Sequence, residues 1–165
     1  MKNNIFYKGY SVLEVIVSFL IVLILFLLAY YYYIKLEEDA KVAVFISNKR
    51  YIMLACYRYY LDKNRLPISL LELFSDPYRD YLPKNLHSYF ILSSWGSQIL
   101  IYSYHYPSLF VSYLYLEVSD LKINKEIVPI GSQLKLKNNL KEDFISYKDI
   151  NNKEYMVFKL LYLIR

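Results

Sequence analysis

From Val15 to Ile34 the chain carries no charged residue, and Lys35 is the first to break the apolar pattern. The stretch from Val15 to Tyr33 is about 19 residues, roughly 28 Å of helix at 1.5 Å rise, which is enough to cross a hydrocarbon core. Leu, Ile, Val and Phe dominate it, and only Ser18 is polar before the tyrosines begin. A hydroxyl there can bond back to the preceding turn. Tyr30 to Tyr33 end the run where an interfacial aromatic belt belongs. Beyond Lys35 the pattern turns amphipathic. Phe45, Ile52, Cys56 and Tyr59 fall at helical spacing, as do Ala40, Val44, Tyr51 and Ala55, with Lys41, Asn48, Lys49 and Arg58 between them. No Pro or Gly interrupts Tyr10 to Arg65, so the pattern predicts one helix of about 55 residues, on the order of 80 Å.

The helix has a readable end. Asn64 can take the left-handed cap conformation, and Pro67 cannot continue a helix. Ser69-Leu70-Leu71-Glu72 has capping-box spacing and predicts a short second helix to Phe74. After the loop through Pro83 the periodicity becomes that of strands. Gln98 to Tyr106 and Leu109 to Val118 are rich in Ile, Tyr, Val and Leu, with Pro107-Ser108 between them as a hairpin turn. Lys153 to Ile164 predicts a terminal strand, and Val128 to Leu136 a weaker one interrupted by Pro129 and Gly131. The expected fold class is α+β: a long helix whose outer half packs on an antiparallel sheet of about three to five strands.

Charge sets the orientation of the run. The formal net charge is +5, and without Met1 to Gly9 there remain 18 basic residues against 15 acidic ones, too mild an excess to imply nucleic acid. Lys2 and Lys8 precede the apolar run, so the positive-inside rule places the N-terminus in the cytoplasm. The expectation is a single-pass inner (cytoplasmic) membrane protein with an extracytoplasmic head. The lone Cys56 excludes an intrachain disulfide. No small-residue cleavage pattern follows the run, which sets it apart from a secretory signal. An uncleaved signal anchor carrying an extracytoplasmic ligand-binding domain fits the hydropathy equally well, but gives no reason for Glu14.

Glu14 is the ionisable residue at the front of the run, where a charge in a span costs a few kcal/mol and reads as functional. Its setting is Lys8-Gly9-Tyr10-Ser11-Val12-Leu13-Glu14. This resembles the type IV prepilin signal, in which a short basic leader ends in Lys-Gly and is followed by a hydroxyl residue, two aliphatics, Glu and an apolar helix. The segment Tyr59 to Pro67 is similar to the place where the long helix of type II secretion pseudopilins gives way to a turn. Trp95-Gly96 is similar to the Asp-x-Trp-Gly segment that opens their sheet, although Ser93 and Ser94 stand where acidic or polar residues occur, and no acidic calcium loop is evident.

The resemblance implies a type IV pilin-like fold and a structural subunit, not an enzyme. It divides the chain into a leader (1–9), a transmembrane assembly helix (10–34), its amphipathic continuation (35–65) and a globular head (66–165). It implies cleavage by a prepilin peptidase after Gly9, N-methylation of Tyr10, and a role for Glu14 in assembly, where its carboxylate would meet the Tyr10 amine of another subunit. The implied partners are the peptidase, other pilin or pseudopilin subunits, the inner-membrane assembly platform and membrane lipid. The implied service is fibre assembly, protein secretion or DNA uptake. Tyr10 in place of the usual Phe or Met, and the lack of a proline before Pro67, suit a minor pilin or pseudopilin.

No catalytic, cofactor-binding or metal-ligating constellation emerges. His87, His105 and Cys56 lack ligand spacing. Cys56 is expected to be a small buried hydrophobe on the helix stripe. Glu37-Glu38-Asp39 reads as a solvated helix face, with pairing to Lys35 or Lys41 of a neighbouring subunit as the lesser reading. Tyr102, Tyr104 and Tyr106 alternate on one strand face, and Lys122 and Lys125 could flank them as a stacking platform for single-stranded DNA. Alternating tyrosines are more often sheet packing against a helix, which makes DNA the lesser expectation.

Overall fold

A computed structural model of the chain describes residues 11–75, 80–82, 92–140 and 145–164. The chain divides into two compact units between Glu38 and Asp39. A single helix, α1 (Val12–Lys63, 52 residues), contributes to both, close to the length that the uninterrupted pattern predicts.

In the first unit every large apolar side chain of α1 from Val12 to Ile34 is exposed. It is the one helix among the described residues long and apolar enough to cross a membrane. Leaving a Leu, Ile or Phe in water forgoes about 1.5–3 kcal/mol that burial would supply. A run of this length therefore needs an apolar surrounding that the described residues do not provide.

In the second unit α1 buries Val42, Phe45, Lys49, Ile52, Ala55, Cys56 and Tyr59. Apart from Ala55, these positions step by three and four alternately, which keeps one stripe against a flat partner. The expected stripe of Phe45, Ile52, Cys56 and Tyr59 is thus the core face. The second expected stripe is not: Val44 and Tyr51 are exposed, and only Ala55 of that set is buried. Lys49, which the pattern assigns to the polar side, is buried instead. Its stem lies in the core and its Nζ sits 5.5 Å from the Phe158 ring centroid.

Asn64 ends the helix in the left-handed region (φ 53°), with its N–H donated to the Tyr60 carbonyl at 2.8 Å, as expected. The next turn differs from expectation. Helix α2 is only Glu72–Ser75. The Glu72 carboxylate reaches past Ser69 to the Ile68 N–H (3.1 Å), and the same oxygen accepts from Arg65 (3.0 Å) and the Tyr59 hydroxyl (3.1 Å). The presence of two long-reach donors beside it turns a local cap into a clamp between the end of α1 and the turn.

The sheet contains β1 (Ile99–Tyr106), β2 (Leu109–Asp120), β3 (Lys125–Glu126), β4 (Ile145–Lys148) and β5 (Lys153–Ile164). Its order is β1-β2-β5-β4, with β3 paired to the end of β2, and every pairing is antiparallel. Tyr106 opposite Leu109 leaves Pro107-Ser108 as the two-residue connection that the sequence predicts. Asn124 (φ 49°) and Asn152 (φ 61°) take left-handed conformations in the turns after β2 and before β5, which a short amide side chain tolerates best after glycine. Ile99, Ile101, Leu114, Leu116, Met156, Phe158 and Leu160 form the inner face of the core, into which Phe45 of α1 also packs. The Phe45 ring lies 5.6 Å from Phe158 and 6.1 Å from Trp95.

One expected strand is a helix. Ile130–Leu140 forms α3, although its Leu-Lys-Leu-Lys alternation imitates a strand. The Pro129 carbonyl accepts the Gln133 N–H at 3.0 Å, opening the first turn, and the Gln133 amide donates to the Val128 carbonyl at 2.8 Å. Ser132 and Leu136, four apart, are fully buried while Leu134 stays exposed. That is a helical pattern of burial, and tertiary contact selects it over the alternation. Strands β3 and β4, by contrast, have no strong sequence signal.

Candidate functional site

Gly9 and Tyr10, the expected cleavage and methylation positions, lie outside the described residues. Glu14 is described and makes a reciprocal pair at the start of α1. The Glu14 N–H donates to Ser11 Oγ at 3.2 Å, and the Ser11 N–H donates to Glu14 Oε2 at 2.9 Å. This is a capping box, which satisfies two of the donors left over at a helix start. The Ser-x-x-Glu spacing immediately before an apolar run is the signal for it. The expectation of a charge partner in another subunit concerns contacts outside this chain, but the box already gives Glu14 a local task. Cutting between Gly9 and Tyr10 would leave the box whole, because the Ser11 amide belongs to the Tyr10–Ser11 peptide bond.

A second constellation lies on the outer face of the sheet. Tyr102, Tyr104 and Tyr106 do not pack against a helix; they are 47%, 47% and 54% exposed. Period-two alternation puts Ile99 and Ile101 inward and the tyrosines outward, and the antiparallel register brings Tyr113 and Tyr115 of β2 beside them. Tyr155 of β5 and Tyr147 of β4 face each other across the last pair of strands. The rings meet edge to face: Tyr102 and Tyr115 at 5.1 Å and 84°, Tyr115 and Tyr147 at 6.0 Å and 87°, Tyr104 and Tyr113 at 6.2 Å and 70°. Such pairs contribute about 0.5–1.5 kcal/mol each beyond area burial. Together with Leu100 and Asp149, tyrosines 102, 104, 115, 147 and 155 line a groove of ≈ 310 Å³.

The electrostatics of the groove are simple. Burial, and then the neighbouring Tyr104, Tyr147 and Tyr102, push the Tyr115 hydroxyl up to about 12. Burial first, and then the Glu117 carboxylate, also raise Tyr155. Both shifts hold the Tyr115 and Tyr155 phenols neutral at physiological pH, and Asp149 is the only charged residue among the described lining. Glu117 is held by Lys153 Nζ at 3.0 Å. Lys125 lines a different hollow with Asp120, Glu126 and Glu154, and neither Lys122 nor Lys125 lines the tyrosine groove. The two lysines expected to flank these rings are thus not part of the groove.

Among the described residues no group of three His, Cys, Asp or Glu could hold a metal ion. His87 lies outside them; His105 is exposed on β1, its ring 4.2 Å from that of Phe110. Asp39 pairs with Lys135 of α3 at 2.7 Å, so one member of the acidic triplet has a partner within its own chain.

Cys56 is fully buried, as expected, and burial pushes its thiol from 9.0 up to about 12, a hydrogen bond with Ser112 opposing the shift. The native thiol keeps its proton between these values while the unfolded one loses it. From this residue stability is therefore full below about pH 9 and falls by about 1.4 kcal/mol per pH unit above it, until the native thiol ionises as well. Urea unfolding between about pH 8 and 11 should show a shallower alkaline decline for Cys56→Ala than for the parent chain; equal slopes would contradict the assignment.

The chain matches no family model, no curated protein and no solved structure.

Proposed function

We propose that the chain is a prepilin-like structural subunit of a type IV pilus or type II secretion pseudopilus, cut between Gly9 and Tyr10 and assembled through its apolar helix. The observation that supports this most is α1 itself. In the first unit it exposes an uncharged, predominantly apolar surface over a membrane length, and the same helix continues without a break into the stripe that carries the sheet. An anchor whose sole task is tethering has no need of that continuity, whereas a subunit stored in a membrane and packed into a fibre uses one helix for both states. The head would be extracytoplasmic, and the working partners would be the peptidase, other subunits, the assembly platform and membrane lipid. Glu14 would exchange or extend its box to meet the Tyr10 amine of a neighbour, since one carboxylate oxygen takes the Ser11 N–H and the group has a second.

A second reading is an uncleaved, singly anchored protein with a ligand-binding outer domain. The tyrosine groove and the self-sufficient box at Glu14 favour it. The mass of the N-terminal peptide separates the two. A chain beginning at Tyr10 and carrying one added methyl is the expected result; an intact leader in cells that possess the peptidase would overturn the subunit reading.

A further inference from the structure

We infer that the tyrosine groove on the outer face of the sheet is a binding site for a quaternary ammonium group, such as that of choline. The inference does not depend on cleavage or assembly. Three observations carry it.

First, the walls are aromatic, with Tyr102 and Tyr147 nearly perpendicular to Tyr115, and Tyr155 inclined at 41° to Tyr147. Tyr115 meets Tyr102 at 84° and Tyr147 at 87°, and Tyr155 closes the floor 6.5 Å from Tyr115. Ring faces carry the negative part of the aromatic quadrupole, so perpendicular rings around one hollow attract a cation from several sides. Second, the charge has the right sign and number. Asp149 is the sole charged residue among the described lining, its Oδ1 accepting the Ile150 N–H at 2.6 Å. The nearby Lys153 ammonium is already taken by Glu117. An anion would meet both the carboxylate and the ring faces. Third, this face already holds a cation on a tyrosine: Lys159 Nζ lies 4.0 Å from the Tyr162 ring centroid.

A primary ammonium brings three N–H donors, for which the described lining offers the Asp149 carboxylate and the phenol oxygens. A trimethylammonium head has no N–H to satisfy, and its methyl groups suit aromatic walls. A hollow of ≈ 310 Å³ is large enough for a small head group.

The test is a calorimetric titration of the full chain in maltoside micelles with choline, with tetramethylammonium, and with the uncharged carbon isostere of choline. Both cations should bind, and choline should bind at least about tenfold more tightly than its isostere. Tyr102→Leu and Tyr147→Leu, at half-exposed positions, should each weaken choline by about threefold to thirtyfold, while Tyr147→Phe, which keeps the ring, should not. Asp149→Asn should weaken it as well. Emission of the single tryptophan, Trp95, on the opposite side of the sheet checks that each variant is folded. Equal binding of choline and its isostere, no binding of either cation, or undiminished affinity in both leucine variants would each overturn the assignment.

Discussion

Phe158→Ala destabilises the unit Asp39–Arg165 by about 3–5 kcal/mol, read as a lower urea midpoint. Phe158 is 1% exposed on the inner face of β5. Its ring packs 5.6 Å from Phe45 of α1 and lies beneath the Lys49 ammonium, so truncation removes the contact that joins helix to sheet and also leaves a buried lysine over a void. Domains of this size have only about 5–15 kcal/mol in hand, so the variant gives up a large part of it. Trp95 is the sole tryptophan and stands 6.1 Å from Phe45, which makes its emission a direct reporter of this core. Phe158→Leu should lose less, because a branched side chain fills part of the space. A Phe158→Ala midpoint equal to that of the parent would mean that Phe45 and Phe158 do not form the centre of the unit.

Glu14 variants separate the two tasks that its position allows. Glutamine can replace glutamate in a capping box but carries no charge, whereas alanine loses both. On the proposed function, Glu14→Gln and Glu14→Ala both leave the chain in the membrane and both fail to enter the filament. Losing one partner of a desolvated ion pair costs about 3–5 kcal/mol, which is a hundredfold or more in incorporation. Loss of the cap alone costs only about 0.5–2 kcal/mol and would appear in the alanine variant only. Quantifying subunits in sheared fibres decides the matter. Normal incorporation of Glu14→Gln beside a defect in Glu14→Ala would make the residue a cap and remove it from assembly.

Much of the fold was legible because its signals are local. The charge-free run, the lack of Pro and Gly from Tyr10 to Arg65, the asparagine at position 64 and the Pro107-Ser108 connection each act within a few residues, and each has its expected place in the described structure. Where two local readings were equally good, the wrong one could be taken. Val128 to Leu136 alternates like a strand, yet Pro129 opens a helix there and Leu136 finds the core. Glu72 has the spacing of a cap, yet Tyr59 and Arg65, distant in sequence, claim its carboxylate as well. The candidate sites divide in the same way. The Ser11–Glu14 box is written in three consecutive steps of sequence, whereas the tyrosine groove draws on four strands.

By itself the sequence determined a membrane-length apolar helix, its continuation to an asparagine stop, and the strands of a hairpin, since periodicity and chain stiffness need no partner to act. Only the tertiary structure decided which face of each element is inside. Either face of β1 satisfies the alternation, but burying its tyrosines would require partners for their hydroxyls. Ile99 and Ile101 pack under α1 without that requirement, and so the tyrosines of β1, β2, β4 and β5 gather on the opposite side of the sheet.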